Sequence, residues 1–327
     1  MTQTVRIAGF DETQPEWEEL LPRCPSNTIF VTPTWQRVWW ECFGGESDPQ
    51  IISLYLEGEA LGIAPLMSRN DTISFLGDTD LFDYHDFIVP AGREAAFHAA
   101  LWDQLERMEW RTVELTSLRQ DSPTLQHLPA LAKAGGHSVE VVEEDMSPVA
   151  ALPPTWEEYV AGLPKKHRHE LRRKLRKLEA AGDVRQYVVD TPEEVGERMV
   201  DFFRLHRASS PDKAEFMTEQ RERFFRRIGA EFSARGQFRL ELMELSGTVV
   251  ASCINFDYRD SYLLYNSGYD PAFSNLSVGI LNKALSIKEA IGAGKRFFDF
   301  LRGTERYKYN LGAEDRAVYR LTVRRQP

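Results

Sequence analysis

The sequence predicts an α/β (α+β) fold in two tandem domains, each a mixed, mostly antiparallel sheet flanked by helices. Three observations predict it. The chain has 327 residues, room for about two domains of ~150 residues. The order hairpin, strand, helix, strand, closing strand is spelled out twice. The charge also divides at the middle. Residues 1–164 hold nine Lys and Arg against 27 Asp and Glu, a balance of −18, whereas residues 165–327 hold 31 against 23, a balance of +8. An anionic ligand is favoured by the second half and repelled by the first. Opposite charge also serves simply to dock the halves.

Composition excludes several classes. Hydrophobic residues make up 42% and charged residues 28%, enough apolar material for packed cores and too much for a disordered chain. The most apolar stretches, Ile51–Leu56 and Phe297–Leu301, fall far short of the ~18 residues of a membrane span. The opening MTQTVRIAGFDETQPEW lacks the basic-then-apolar layout of a secretory leader. Cys24, Cys42 and Cys253 are widely spaced and odd in number. Neither a disulfide framework nor a zinc site is expected, and a reducing cytoplasm is the expected setting.

Residues 1–49 read as an irregular start with short helices, in which Trp35, Val38, Trp39 and Trp40 form a core stripe. Ile51–Leu56 and Ala60–Met67 form a hairpin across Glu57-Gly58-Glu59, and Thr72–Leu76 is a short strand. Asp83–Val89 alternates polar and apolar residues before Pro90. Helix Arg93–Glu109, strand Val113–Thr116, helix Leu125–Ala134 and strand His137–Val142 complete the first half. Ser147–Thr155, with three prolines, is the linker, so the domains are expected at 1–150 and 151–327.

The second half opens with helices Trp156–Leu163 and Lys165–Ala181, then strand Val184–Val189 and helices Glu193–Arg207 and Glu219–Ala234. Hairpin Phe238–Leu245 and Val249–Tyr258, strand Tyr262–Tyr269, helix Ser277–Ile291 and strand Phe297–Leu301 follow. Ala317–Val323 is read as the strand that closes this half.

The chemistry concentrates after Tyr262. A strand runs through a loop into a helix that opens at Ser277-Val278-Gly279. Unpaired N–H groups and the positive dipole end of a helix suit a pyrophosphate, and Gly279 would let phosphates approach the backbone. Ser277 as a plain N-cap is the competing local reading. Phe297-Phe-Asp-Phe-Leu-Arg-Gly-Thr-Glu-Arg-Tyr-Lys follows one helix later.

These blocks carry a resemblance. Together with Tyr265-Asn-Ser-Gly-Tyr-Asp and the basic helix after Pro164, they resemble the GNAT acyltransferase superfamily. The likeness is to its double-domain branch, related to the Fem peptidyltransferases and to acetyltransferases found beside cellulose-biosynthesis genes. It covers residues ~160–323; the first half matches in layout and in Asp83-Tyr-His-Asp. The resemblance implies two GNAT-like domains and acyl transfer from acetyl-CoA or another acyl-CoA to a primary amine on a small molecule or peptide. No metal is implied. By the match, Leu276, Ser277, Val278 and Gly279 cradle the pyrophosphate, although only Gly279 of the usual Arg/Gln-x-x-Gly-x-Gly/Ala signature is in place.

Aminolysis of a thioester needs a deprotonated amine, alignment and a donor for the developing oxyanion. Asp299 is placed to orient substrate or move a proton, or else to bond nearby loop N–H groups. Tyr307 could protonate the leaving thiolate. Lys308 pairs with phosphate or the oxyanion, as the Tyr-Lys of the Fem relatives suggests, and Arg302 lies beside them as a further cofactor contact. Asp83, His85 and Asp86 form a titratable cluster, read either as an acceptor site with His85 as base or as solvated charge on a surface strand. His206 is read as a core or cleft histidine that touches substrate. Arg168 and Arg172, on the basic helix, grip an anionic group or line a solvated face.

The expected arrangement puts Asp83 and Asp86 on one side of the acceptor and Arg302 and Lys308 on the other, with a cationic amine favoured by the acidic half. Fem-like transfer from aminoacyl-tRNA is one alternative. A non-catalytic, degenerate GNAT module is the other.

Overall fold

The computed structural model describes residues 2–45 and 48–326. The chain divides into two units, Met1–Met146 with Arg316–Pro327, and Ser147–Asp315. Among the described residues no helix is long and apolar enough to cross a membrane.

The first unit runs β1 (Gln3–Ile7), α1 (Phe10–Leu20), α2 (Pro33–Phe43), β2 (Asp48–Leu56), β3 (Glu59–Arg69), β4 (Thr72–Phe75), α3 (Glu94–Glu106), β5 (Thr112–Arg119), α4 (Pro123–Ala134) and β6 (Ser138–Met146). Alternation along β2 and β3 feeds two cores. Ile52, Leu54, Ala64 and Leu66 meet Phe97, Leu101 and Leu105 of α3. Ile51 and Ile63 meet Trp17 and Leu20 of α1. The irregular start is therefore partly a strand, since β1 pairs antiparallel with β2.

The second unit runs β7 (Val149–Ala151), α5 (Trp156–Gly162), α6 (Lys165–Glu179), β8 (Val184–Val189), α7 (Pro192–Ser209), α8 (Pro211–Phe216), α9 (Glu219–Ser233), β9 (Phe238–Leu245), β10 (Thr248–Tyr258), β11 (Ser261–Tyr269), α10 (Val278–Gly292), β12 (Phe297–Asp299) and α11 (Arg306–Asn310). Its sheet order is β7-β12-β11-β10-β9-β8. Both faces are covered. Helices α7 and α9 pack on one, and α10, backed by α5 and α6, packs on the other. Two neighbouring residues of β11 show the alternation: a Cβ on Gly268 would meet the Leu205 and His206 backbone of α7, whereas Tyr269 lies against Gly279 of α10.

Two strands sit where the sequence did not place them. Val149–Ala151, inside the expected linker, is an edge strand paired antiparallel with β12. Ala317–Arg324, here β13, does not close the second half. It lies in the first sheet between β5 and β6, giving the order β1-β2-β3-β4-β5-β13-β6, and puts Leu321 and Val323 into the core that faces α3. Alternation announces a strand but does not say which sheet will bury it.

Asp83–Val89 is not a strand; it makes only isolated bridges, His85 to Leu118 and Ile88 to Ile63. The segment Tyr84–Val89 is buried throughout, so its polar residues are inside. Asp86 accepts hydroxyl hydrogen bonds from Ser26 (2.7 Å), Ser122 (2.8 Å) and Thr124 (2.5 Å), and the Phe87 N–H at 2.9 Å. Phe75 and Phe82 sandwich the His85 ring. Gly77, at φ 140°, keeps clear of it, because a Cβ there would stand 2.6 Å from Nε2.

The second core buries Glu241 completely. Its carboxyl accepts from Tyr262 (2.7 Å), Asn255 (3.1 Å), Gln186 (2.8 Å) and the Ser286 hydroxyl. Burial nevertheless raises its pKa to about 7.

Two outcomes follow for stability. Asp86→Ala strands three hydroxyls and should cost about 3 kcal/mol in urea unfolding; a loss below about 1 kcal/mol would show that the cluster does not hold the fold. A raised carboxyl stabilises at low pH, and that contribution is lost as pH rises from 4.5 through 7. Relative to Glu241→Gln, the native chain should therefore lose about 3 kcal/mol between pH 4.5 and 8. Parallel pH profiles of the two proteins would overturn this.

Candidate functional site

The second unit's sheet opens at one place. Strands β11 and β12 are parallel but pair only over Ser261–Leu263 and Phe297–Asp299, while β11 continues to Tyr269. Just past the last pair β11 carries a bulge. Asn255 faces Leu264 and Ile254 faces Asn266, so Tyr265 is the extra residue. Beyond β11, a 3₁₀ turn, Pro271–Leu276, is started by the Asp270 carboxylate accepting the Ala272 N–H at 2.9 Å. Helix α10 follows at once.

Ser277 precedes α10 in the left-handed region (φ 58°, ψ 32°), and its side chain makes no cap. The plain N-cap reading therefore fails. Its carbonyl accepts from Ile280 (3.1 Å) and Leu281 (3.0 Å), which leaves the N–H groups of Val278 and Gly279 unused by the helix. Gly279 has a different role from the expected one. A Cβ there would meet the Tyr269 ring at 3.0 Å, so the close approach it permits is that of a side chain. Leu276 packs partly into the core below.

Lys308 is buried and fully engaged. Its ammonium donates to the carbonyls of Leu301 (2.9 Å), Arg302 (2.7 Å) and Gly303 (2.9 Å) and meets Glu305 at 3.0 Å. It clamps a loop and has no donor left for a phosphate or an oxyanion, which corrects the expected role. Asp299 serves the same loop, accepting the N–H of Leu301 at 2.8 Å where that residue turns left-handed (φ 56°). Tyr307 packs against Phe300 and beneath the Lys283 ammonium, 4.9 Å from the ring centroid. Burial, then the Glu305 charge, holds its phenol well above the usual range, so it keeps its proton at neutral pH.

His206 is buried between Phe202 and Phe216. Burial and the Lys213 charge push it down to about 3, so it is neutral. Arg168 binds the Ala161 carbonyl at 2.6 Å and ties α5 to α6, and Arg172 is exposed. Other residues of α6, with Arg306 of α11 and Ile280 of α10, line a cleft of about 450 Å³ that includes Lys166, His167, Arg173 and Lys174. Asp83, His85 and Asp86 belong to the first unit. His85 and Asp86 there meet packing and hydrogen-bonding needs of that unit.

Sequence reasoning passed over Lys213 and Lys283. Lys213 looks like a surface residue of a short helix. Lys283 had a signal: it is the one charged residue in Val278–Ile287, and it is buried. Among the described residues no group of three or more His, Cys, Asp and Glu is placed to hold a metal ion.

Residues 165–309 match the model of the family described as "Acetyltransferase (GNAT) domain", and this stretch of the second unit is a GNAT domain. No curated protein matches the sequence. Solved structures extend the fold over the whole chain. FemX superposes with a TM-score of 0.65 at 12% identity, covering 98% of this chain and 97% of that one. A tandem GNAT protein from the clavulanic acid biosynthesis pathway, solved without AcCoA, gives 0.56 at 14%, covering 100% and 99%. The C-terminal DUF2156 domain of a putative lysylphosphatidylglycerol synthetase from Agrobacterium fabrum gives 0.58 at 9%, covering 97% and 93%. The chain thus has the double-GNAT fold that the sequence predicts.

Lys308→Met should lower stability by about 3 kcal/mol by removing a buried ammonium bonded to the carbonyls of Leu301, Arg302 and Gly303, and Lys308→Arg should not restore it, because a planar fork cannot reproduce the three-way donation. Urea unfolding of both variants checks this. Full rescue by Arg would mean that charge, not geometry, holds the loop.

Proposed function

We propose that the second unit transfers an acyl group, with acetyl the expected one, from an acyl-CoA thioester to a primary amine. The observation that carries the reading is the parting of β11 from β12 beside the open start of α10. From Leu264 to Tyr269 the β12 side of β11 is left by its strand partner, and an extended arm bearing amides can pair along such an edge. At the end of that edge the free N–H groups of Val278 and Gly279, at the positive end of α10, suit a pyrophosphate. At its other end the bulge at Tyr265 brings main-chain groups to where the carbonyl oxygen gains charge.

Tyr307 is the residue best suited to act as acid. The amine nitrogen attacks the thioester carbon and the C–S bond breaks. Tyr307 gives its proton to the departing thiolate, and the proton shed by the nitrogen passes through water to restore the phenol. Lys308, Asp299 and Arg302 act as positioning residues through the 301–303 loop. The reading is of a protein of the reducing cytoplasm.

A second reading has one observation in its favour. The cleft bearing Lys166, Arg173, Lys174 and Arg306 suits an RNA backbone, as transfer from aminoacyl-tRNA would require. Loss of activity on ribonuclease treatment would select it.

Acetyl-CoA at about 100 times its Kd should stabilise the protein by about 2.7 kcal/mol, a clear rise in melting temperature. Ser277→Asp keeps a residue that tolerates the left-handed conformation but sets a negative charge at the helix start. It should melt normally without ligand and bind acetyl-CoA at least tenfold more weakly. Tyr307→Phe should retain binding and lose about 10²-fold in kcat. Absence of a shift with any acyl-CoA would overturn the reading.

A further inference from the structure

The parted strands hold more positive charge than the protein answers. Lys213 comes from α8, which follows the helix packed on one face of the sheet, and Lys283 comes from α10 on the other. The Lys213 ammonium donates to the Ser267 carbonyl, on the part of β11 that β12 has left. The Lys283 ammonium donates to the Gly279 carbonyl at 3.2 Å and faces the Tyr307 ring. Both partners are neutral.

The anionic candidates nearby do not compensate. Glu305 favours both ammonium groups, but it is half-exposed and already ion-paired with Lys308, so it is one carboxylate for three cations. Burial pushes the Cys253 thiol up to about 11, so it stays protonated. Each ammonium is also felt by other charges. Lys213 is pushed down to about 8 by burial and then by the charge of Lys283, and Lys283 is lowered by burial. Two mostly buried ammonium groups bonded to neutral carbonyls, with one carboxylate shared among three cations, are costly unless a further counter-charge arrives. The site is not sealed, since Tyr265, Asn266, Ser267, Lys213 and Tyr307 all keep partial exposure.

We propose that the gap between β11 and β12 binds an anionic group of a substrate, a carboxylate or phosphate, between Lys213 and Lys283. This rests on the acyl-transfer reading in one respect: the anion is carried either by the acyl chain of the donor or by the amine acceptor. It departs from the expectation of a plainly cationic amine. The site is distinct from the start of α10, where the main-chain N–H groups of Val278 and Gly279 are left unused by the helix.

The test is melting temperature at constant ionic strength for the native chain, Lys213→Met and Lys283→Met. The probes are CoA, acetyl-CoA against succinyl-CoA, butylamine against γ-aminobutyrate, and ethanolamine against phosphoethanolamine. In the native protein an anionic member should bind at least tenfold more tightly than its neutral partner. Preference for succinyl-CoA assigns the anion to the donor; preference for an anionic amine assigns it to the acceptor. Both Met variants should lose that preference and keep the shift with CoA.

Unliganded Lys283→Met should melt above the native protein, because a buried and under-compensated ammonium has been removed; a structural lysine would give the opposite sign. Equal binding of anionic and neutral partners overturns the proposal. So does a Lys283→Met protein that melts lower, or one that loses the CoA shift. An anionic preference without any CoA shift would sink the acyl-transfer reading and leave the anion site standing.

Discussion

Lys308 spends its three N–H bonds on the carbonyls of Leu301, Arg302 and Gly303, and the shape of the second unit's site depends on that. Strand β12 is three residues long, too short to define the path of the chain beyond it. The ammonium gathers the following turn around one point, with Leu301 left-handed and Asp299 capping it. That turn lets the chain leave the sheet while β11 goes on. It also sets α11, and with it the phenol of Tyr307, beside Lys283. A buried cation that binds carbonyls is thus the fixed point from which the open edge, the Tyr307 ring and the lysine-bearing gap are arranged.

Each unit also keeps a carboxyl group inside, and the two are handled differently. Asp86 is met by three hydroxyls at loop and helix starts, so it ties irregular chain together. Glu241 sits in the middle of a sheet covered on both faces and is met by side chains of β8, β10, β11 and α10. Such groups specify one packing arrangement over its near neighbours, since a shifted strand or helix would strand donors as well as the acid. Their cost is carried by the apolar cores around them.

Much of the fold was legible because local signals agreed. Strands Val184–Val189 and Phe238–Leu245 have the expected bounds, and α10, expected at Ser277–Ile291, is displaced by one residue at each end. What failed were inferences that need a second element. The pattern of Ala317–Arg324 fits either sheet. Glu241, between Leu240 and Leu242, carries no local mark of its burial, because the helices that cover both faces of that sheet come from elsewhere in the chain. Gly279 and Lys308 stand out in the sequence, but their partners, Tyr269 and the 301–303 carbonyls, lie in the tertiary structure. Lys213 carries no local mark.

The placement of β13 has a consequence for how the chain comes to be folded. Residues 147–315 hold every strand of the second sheet, so that unit can complete itself as soon as they have been made. The first unit cannot. Strands β5 and β6 are adjacent only through β13, and roughly 170 residues of chain separate β6 from it. Until Ala317–Arg324 has emerged, the first sheet keeps two unpaired edges facing a gap, and its earlier-made strands must wait for a contact of long sequence separation. Order of synthesis and order of completion are therefore reversed: the unit made first is finished last.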